Sequence, residues 1–215
     1  MNLKVTAHFG NLSNIFYQLQ AGMHPTPFLP EALFVADNLA LDFINSEYGV
    51  AEQRHDCFVD DHSVMRWLAM AGLAPDQEKQ PAPNGLLTLA RALREGSRAV
   101  VEAAAKGTQA DLSVINQVIE AGRPLRMLEW ATDAQALRIA TRPRDNSPAS
   151  LLAPIAEALV SLVTNETFEF VRQCEAHDCV LLFHDLSKSH RRRWCSMATC
   201  GNRMKVAAFR SRKKG

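Results

Sequence analysis

The sequence has no long apolar run. Nowhere do its 215 residues approach the roughly 20 consecutive apolar positions that a membrane-spanning helix requires. Its first residues also lack a charged segment followed by an apolar stretch and a small-residue cleavage site, which is the pattern of a secretory signal. We therefore expect a cytoplasmic protein with no membrane partner.

The sequence also lacks the short motifs of several common enzyme classes. It contains no G-x-S-x-G, no P-loop and no G-x-G-x-x-G. These motifs position a serine nucleophile, a nucleotide phosphate and a dinucleotide, respectively. We therefore expect no catalytic site and do not expect an enzyme.

Acidic residues are scarce at the end of the chain. Residues 184–215 carry 10 Lys+Arg and one Asp, whereas residues 1–183 carry 14 Lys+Arg and 22 Asp+Glu, giving formal charges of +9 and −8. An acidic body with a basic arm is the distribution expected when the arm contacts phosphates or another anionic surface. A solvated charged tail is the alternative that composition leaves open.

Most of the chain is predicted to be helical. Residues 1–30 end in three prolines within six residues and are predicted to form a loose leader. Residues 31–168 are predicted to form a helical domain. Apolar positions three and four residues apart indicate a long helix from Leu86 to Ala104. The segments PLRMLEW and ALRIAT predict the two strands of a small β-hairpin.

Two shorter helices of this domain have predicted ends and buried faces. One begins at a cap formed by Asp61 or Ser63 and ends at Gly72. The other runs from about residue 111 to residue 121. Its predicted buried side chains are Leu112, Ile115, Val118 and Ile119.

Cysteine is concentrated in the last 42 residues, which hold four of the five cysteines of the chain. These four form two C-x4-C pairs separated by fifteen residues. Two pairs of thiolates match the tetrahedral ligand set that Zn²⁺ prefers, and four thiolates leave no position for a reactive water. The sequence therefore predicts a structural zinc site. Its ligands are Cys174, Cys179, Cys195 and Cys200.

The residues that follow the second cysteine pair predict a finger that leads into a basic helix. Gly201 would let the backbone pass close to the metal, and Asn202 is a predicted helix cap. The last ligand would then lie at the start of a helix, as in treble-clef zinc modules, with residues 169–215 as the finger. Nearby cations are candidate phosphate contacts. They are Arg191, Arg192, Arg193, Arg203, Lys205, Arg210, Arg212 and Lys214.

Several residues near the cysteines allow two interpretations. Arg203 either contacts nucleic acid or pairs with Asp185 and locks the finger. Trp194 either stacks on a base or covers the small core of the finger. Because four cysteines already satisfy a zinc ion, the nearby histidines are predicted to lie at the surface. They are His177, His184 and His190. The alternative is that one of them replaces a thiolate as a zinc ligand.

The sequence resembles the CGNR zinc-finger proteins, whose N-terminal region is the ABATE domain. The resemblance covers about residues 32–215 and depends on CEAHDCVLLFHDLSKSHRRRWCSMATCGNRMKVAAFRSRKK in the finger. In the ABATE region it depends on LALDFINS and RHDCFVDDHSVMRWLAMAGL. It implies a bacterial, stress-linked transcription regulator with a zinc-containing, DNA-binding C-terminus. It further implies that the N-terminal domain senses a ligand.

Polar residues beside apolar runs in the ABATE-like part are candidates for that ligand site. Asp42, Asn45, Arg54 and Asp56 would line a pocket between helices, where sensors often bind small molecules. The alternative is structural: Asp42 and Asn45 would bond local backbone groups, and Arg54 would pair with an acidic neighbour. A small-molecule effector is therefore one predicted partner.

Two functions remain open at this point. The first is a DNA-binding regulator, which would use a second copy of the chain because one small module reads few base pairs. We expect such a homodimer to form through the helical body. The second is an RNA-binding or protein-interaction adaptor in which the zinc site has only a structural role.

Overall fold

The computed structural model describes residues 32–73 and 81–213. The predicted leader over residues 1–30 and the candidate cation Lys214 lie outside the described residues. In chain order the helices are α1 (Leu39–Ile44), α2 (Asp61–Met70), α3 (Leu86–Lys106), α4 (Ser113–Gly122), α5 (Pro148–Val163) and α6 (Asn202–Arg212). The strands are β1 (Glu47–Tyr48), β2 (His55–Asp56), β3 (Leu125–Ala131), β4 (Ala136–Arg142), β5 (Val171–Gln173) and β6 (Leu182–His184).

The fold is mainly helical, as predicted, with small antiparallel strand pairs. The described residues hold three such pairs, β1 with β2, β3 with β4 and β5 with β6, where the sequence predicted one. The predicted hairpin is β3–β4. The other strands are two or three residues long, which is too short to show an alternating pattern. None of the described helices has the length and apolar character needed to cross a bilayer.

The core surrounds the short helix α1, which packs against α3 and α5. Although α1 has only six residues, its Leu41, Phe43 and Ile44 side chains are fully buried. The rings of Phe43 and Phe58 lie 5.4 and 6.0 Å from the ring of Trp67 in α2. These separations are typical of favourable aromatic pairs. The aromatic cluster therefore fixes α2 against α1.

The start of α2 differs from the prediction. Asp60 is the cap, rather than Asp61 or Ser63, because its carboxylate accepts the Ser63 N–H at 2.7 Å. Ser63 Oγ accepts the Asp60 N–H at 3.0 Å, which completes a capping box. The Asp61 carboxylate instead accepts the N–H of Leu87 at 2.6 Å. Asp61 thus joins α2 to the first turn of α3.

Helix α4 starts two residues later than predicted, at Ser113. Leu112 is consequently outside the helix and 49% exposed, so the prediction that it is buried is wrong. Ile115 and Val118 are buried as predicted, and Ile119 is half-buried. The predicted apolar face is therefore correct only for residues inside the helix, where the 3.6-residue period holds.

A partly buried ion pair connects α3 to β2. The guanidinium of Arg94 donates to both carboxylate oxygens of Asp56, at 2.7 and 2.8 Å, and to Ser46 Oγ at 3.1 Å. Burial opposes ionisation of Asp56. The hydrogen bonds from Arg94 and from the Phe58 N–H, together with the charges of Arg94 and Arg91, outweigh burial and lower the pKa of Asp56. This pair is a structural element that the sequence did not reveal.

Candidate metal centre and nucleic-acid interface

Four cysteine side chains meet near the end of the described chain. The Sγ atoms of Cys174, Cys179, Cys195 and Cys200 all lie within 4.8 Å of one another. Cys195 Sγ is 3.5 Å from Cys200 Sγ and 3.8 Å from Cys179 Sγ. A tetrahedral Zn²⁺ site with Zn–S bonds of about 2.3 Å has S···S separations of about 3.8 Å. The cluster therefore fits Zn²⁺, and the four thiolates complete its coordination shell.

The hairpin β5–β6 positions the first cysteine pair. Cys174 follows β5 directly, and its backbone N–H donates to the carbonyl of Leu181 at 2.9 Å. The N–H of Cys179 donates to the carbonyl of Ala176 at 3.0 Å, which closes the turn between the two cysteines. The strand pair and this turn together hold the backbone of both cysteines in place.

The second pair lies where a loop becomes a helix. A π-helical turn over Met197–Gly201 contains Cys200 and leads directly into α6. Ser196 caps this turn through its Oγ, so the prediction that Asn202 is the cap is wrong. The last zinc ligand nevertheless lies at the start of a helix, as the treble-clef prediction requires.

Side chains crowd Gly201. A Cβ at this position would lie 2.7 Å from Met197 Sδ and 3.2 Å from Trp194 Cδ1. The close approach is therefore to neighbouring side chains, whereas the sequence suggested an approach to the metal. Trp194 is half-buried and packs against the core, in agreement with its predicted covering role.

The thiols of Cys179, Cys195 and Cys200 have pKa values shifted in different directions. The hydrogen bond with Cys195 lowers the pKa of Cys179 to about 5, while the same bond and burial raise the pKa of Cys195. Burial raises the pKa of Cys200 to about 11. One thiolate forms readily and opposes the next, because like charges this close repel each other. Zn²⁺ supplies the compensating charge and is the structural cofactor of this site.

Among the described residues, none of the three nearby histidines belongs to the cluster. His177 is exposed as predicted. The surface prediction is wrong for His184, which is buried with its Nε2 3.0 Å from the carbonyl of Thr167. His190 is half-buried and stacks on Phe170, with ring centroids 3.7 Å apart.

Two family models match this chain. Residues 171–213, which contain the cysteine cluster, match the CGNR zinc finger. Residues 37–166, more than half of the chain, match ABATE, described as "Putative stress-induced transcription regulator". The chain belongs to the ABATE family. None of the curated proteins matches the sequence.

In this ABATE protein, Arg192 ties the finger to the helical body. Its guanidinium donates to the carbonyl of Val35 at 2.7 Å and to the carbonyl of Cys195, and it pairs with Asp37. It also lies 4.4 Å from the ring centroid of Phe183. The partners of this guanidinium therefore come from both the helical body and the finger. Arg192, a candidate phosphate contact, therefore has a structural role.

Two further contacts cross the same boundary. The Asn45 side chain donates to the carbonyl of Leu182 at 2.8 Å and accepts the Leu182 N–H at 3.0 Å. Asn45 is only 1% exposed, so this pairing takes place away from solvent. The N–H of His184 donates to the carbonyl of Ala36 at 2.8 Å. Strand β6 of the finger is thus bonded to the residue that follows α1 and to the segment before α1.

The other candidate ligand residues of the ABATE region also have partners within the fold. The Asp42 carboxylate accepts the N–H groups of Val35 and Ala36, each at 2.9 Å. Burial raises the pKa of Asp42 to about 6. Arg54 pairs with Glu47 at 2.5 Å. These bonds correspond to the structural alternative, and the ligand role of Asp42, Asn45 and Arg54 stays a prediction.

A cleft of about 540 Å³ lies between the β1–β2 pair and the cysteine cluster. None of the candidate ligand residues is part of its lining. The body contributes Tyr48, Gly49 and His55, and the finger contributes Cys179, Thr199 and Arg203.

Arg203 forms part of the metal centre. Its guanidinium pairs with Asp178 at 2.8 Å and donates to Cys200 Sγ at 3.4 Å. The predicted lock therefore exists with a different partner, because Asp185 is fully buried and accepts the backbone N–H of Arg192. The sequence did contain a signal for this partner, because Asp178 directly precedes the zinc ligand Cys179. When the four cysteines come together, the loop that contains Asp178 lies next to the residues after Cys200.

The remaining candidate cations differ in their contacts. Arg193 pairs with Glu175 at 2.6 Å, and Arg212 donates to the carbonyl of Ala208 in its own helix. Within residues 32–73 and 81–213, no side-chain hydrogen bond or ion pair occupies three of the cations. All three are exposed. They are Arg191, Lys205 and Arg210.

Proposed function

We propose that this ABATE protein is a transcription regulator that binds duplex DNA through the finger and α6. One observation carries the proposal: the cations around the zinc site fall into two groups. Arg192 and Arg203 hold the finger together, whereas Lys205 and Arg210 project from an exposed helix without partners among the described residues. A rigid helix with unoccupied cations is suited to neutralising phosphates.

The arrangement of side chains on α6 supports this function. At 100° per residue, Lys205, Phe209 and Arg212 lie along one line of the helix. Val206 lies next to this line, and Arg210 lies beyond Val206. Val206 is 47% exposed and Phe209 is 54% exposed. In the major groove, cations contact phosphates or guanine while apolar side chains contact the thymine methyl group. The exposed side of α6 presents both kinds of side chain.

The charge distribution of the chain gives the complex an orientation. Residues 1–183 carry 14 Lys+Arg and 22 Asp+Glu, so a polyanion is repelled by the body and attracted by the basic C-terminal segment. Such asymmetry steers an encounter toward one end of the molecule. The finger would therefore approach the duplex with the body pointing away from it.

The proposed regulator receives its small-molecule effector in the cleft between body and finger. A molecule bound there would contact Tyr48 from the body and Arg203 from the finger at the same time. Because Arg203 pairs with Asp178 and bonds a zinc ligand, a bound anion would compete for it. Its effect would appear as a change in the affinity of the finger for duplex DNA.

A second function, an RNA-binding or protein-interaction adaptor, is favoured by one feature of α6. Val206 and Phe209 form an exposed apolar pair on this helix. Such a pair suits a protein groove or a stacked, unpaired base as well as a base edge in duplex DNA. The choice of competitor in a binding assay separates these possibilities.

The test is fluorescence anisotropy of the zinc-loaded full chain with a labelled random-sequence duplex over a series of salt concentrations. If about four phosphates are engaged, log K falls with log salt at a slope of about −3.6. Lys205→Ala and Arg210→Ala should each weaken binding and reduce the slope by about 0.9, because each removes one phosphate contact. Cys200→Ala, which removes a zinc ligand, should abolish binding.

Lys106→Ala is the matched control, since Lys106 is an exposed helical lysine in the acidic body. It should leave both affinity and slope unchanged. Stronger competition by structured or single-stranded RNA than by duplex DNA would favour the adaptor. Binding that survives Cys200→Ala, or that does not respond to salt, would refute the DNA-binding proposal.

A further inference from the structure

The β3–β4 hairpin exposes four large apolar side chains on one of its faces. Alternate residues of a strand share a face, and the register pairs Leu128 with Ile139 and Trp130 with Leu137. Their exposed fractions are 67%, 58%, 59% and 63%, respectively. We call these four residues the hairpin patch. It is a continuous apolar surface two residue pairs long.

The rest of the hairpin has little support of its own. Ala131, at the end of β3, is the one buried residue in the two strands. An isolated two-stranded hairpin is at best marginally stable in water and normally needs a further strand or a packed face. Monomeric proteins also rarely leave several large apolar side chains together in solvent. The hairpin patch therefore has the character of a surface that another chain covers.

We infer that the hairpin patch joins two copies of this chain in a two-fold symmetric dimer. In a symmetric interface the same patch contacts itself, so it must be self-complementary. If the two-fold axis crosses the strands at the Leu128–Ile139 pair, each of these residues meets its own copy. The same axis places Arg126 opposite Trp130 of the partner subunit. A guanidinium over an indole is a favourable cation–π pair.

The size of the patch is compatible with this assignment. Four large side chains at these exposures present on the order of 500 Å² of surface, at the upper end of what a monomer exposes. Arg126 and Thr141, which pair with each other on the same face, extend the patch toward the base of the hairpin. A standard interface buries about 800 Å² on each partner. Two such patches would bury about 1,000 Å² in total, which is the lower limit for a specific interface.

The dimer does not depend on the proposed DNA binding, because the hairpin and the finger are separate surfaces. The sequence placed a homodimer on the helical body, whereas the exposed side chains point to the hairpin. If both proposals hold, each dimer carries two fingers, and binding of one increases the effective concentration of the other. A failure of either one leaves the other measurable.

The first test is sedimentation equilibrium of the zinc-loaded full chain without nucleic acid. The wild type should form dimers, and Leu128→Glu combined with Ile139→Glu should raise the dissociation constant by roughly 100-fold or more, because buried charges would face each other. Met127→Glu is the control: Met127 is 49% exposed and pairs with Ala140 on the opposite face. It should dimerise like the wild type.

Circular dichroism must show that all three proteins are folded, which the exposure of the substituted residues allows. A wild-type monomer at high micromolar concentration would overturn the proposal. So would a dimer that survives the double substitution or is lost equally with Met127→Glu. These last two results would place the interface elsewhere on the chain.

The second test locates the symmetry axis. Leu128→Cys should be joined to its own copy by a short bis-maleimide, because position 128 lies on the axis, and Met127→Cys should not. A monomer in which the introduced thiol resists labelling would show that another part of the same chain covers the patch. That result, like equal cross-linking of both variants, would refute the dimer.

Discussion

Adjacent arginines in this protein serve different purposes, and only their contacts distinguish them. Arg191 is exposed and has no side-chain partner among the described residues, whereas Arg192 bonds the carbonyls of Val35 and Cys195. In the sequence alone, a run of three arginines indicates a basic patch. In the fold, the middle arginine of this run, Arg192, bonds the finger to the helical body.

Arg192→Ala should lower the free energy of unfolding of the zinc-loaded chain by about 2–4 kcal/mol, because it leaves partly buried carbonyls without a donor. Arg191→Ala should change it by less than about 0.5 kcal/mol. Urea denaturation of the two variants measures both values. Equal effects would mean that the contacts of Arg192 contribute no stability.

Asp42 gives the protein a pH-dependent stability. Burial raises its pKa in the folded state to about 6, above the ordinary value of 3.8. The protonated carboxyl is therefore favoured by folding, and its contribution is present below pH 3.8 and is lost as the pH rises through 6. Asp42→Asn keeps an oxygen that can accept the Val35 and Ala36 N–H groups and removes the titration.

The stability of Asp42→Asn relative to the wild type should consequently rise by about 3 kcal/mol between the two pKa values, and then level off. Denaturant titrations at several pH values measure this difference. A difference that is constant across the range would show that Asp42 does not titrate in this window. Asp56 does not interfere, since its hydrogen bonds and the charges of Arg94 and Arg91 lower its pKa despite burial and place its titration at lower pH.

At the scale of elements, long helices with a periodic apolar pattern can be predicted from the sequence, whereas strands of two or three residues cannot. The 21-residue helix α3 is long enough for its apolar spacing to be unambiguous, and the prediction of this helix is confirmed. The strands β1, β2, β5 and β6 have two or three residues and are held by tertiary contacts. Nothing in their own composition distinguishes them from loops.

The candidate site follows the same rule. The four zinc ligands could be predicted because two short loops contain them all, so local spacing carries the information. Asn45 and Arg192 could not be assigned their contacts, because their partners lie 137 and 157 residues away along the chain. Arg203 forms an ion pair within the finger, as one of its two predicted roles requires. Its partner is Asp178, whereas the sequence suggested Asp185. The sequence indicates chemistry at these positions, and tertiary packing decides which group each side chain meets.

At the scale of the whole molecule, the finger and the body share one core. Phe183 and Cys174 of the finger belong to the same buried cluster as Phe43 and Leu152 of the body. Removing zinc should therefore lower the melting temperature of the entire chain, with one cooperative transition, because the metal stabilises the folded state of both parts. Differential scanning calorimetry with and without a chelator measures this.

Cys57→Ala is the control for that experiment. Cys57 is buried but lies outside the cluster, so its zinc content and its response to the chelator should match the wild type. Two separate transitions, of which the larger is unaffected by chelation, would contradict a shared core.

The bonds across the boundary also bear on how this zinc finger can be used as a building block. A fragment cut before β5 would retain all four cysteines and α6. It would lose the carbonyl of Val35 that Arg192 bonds and the Asn45 amide that pairs with Leu182, and it would expose Phe183. Transplanting the finger into another protein therefore requires moving residues 35–45 with it, since the bonds that complete the finger come from the other end of the described chain.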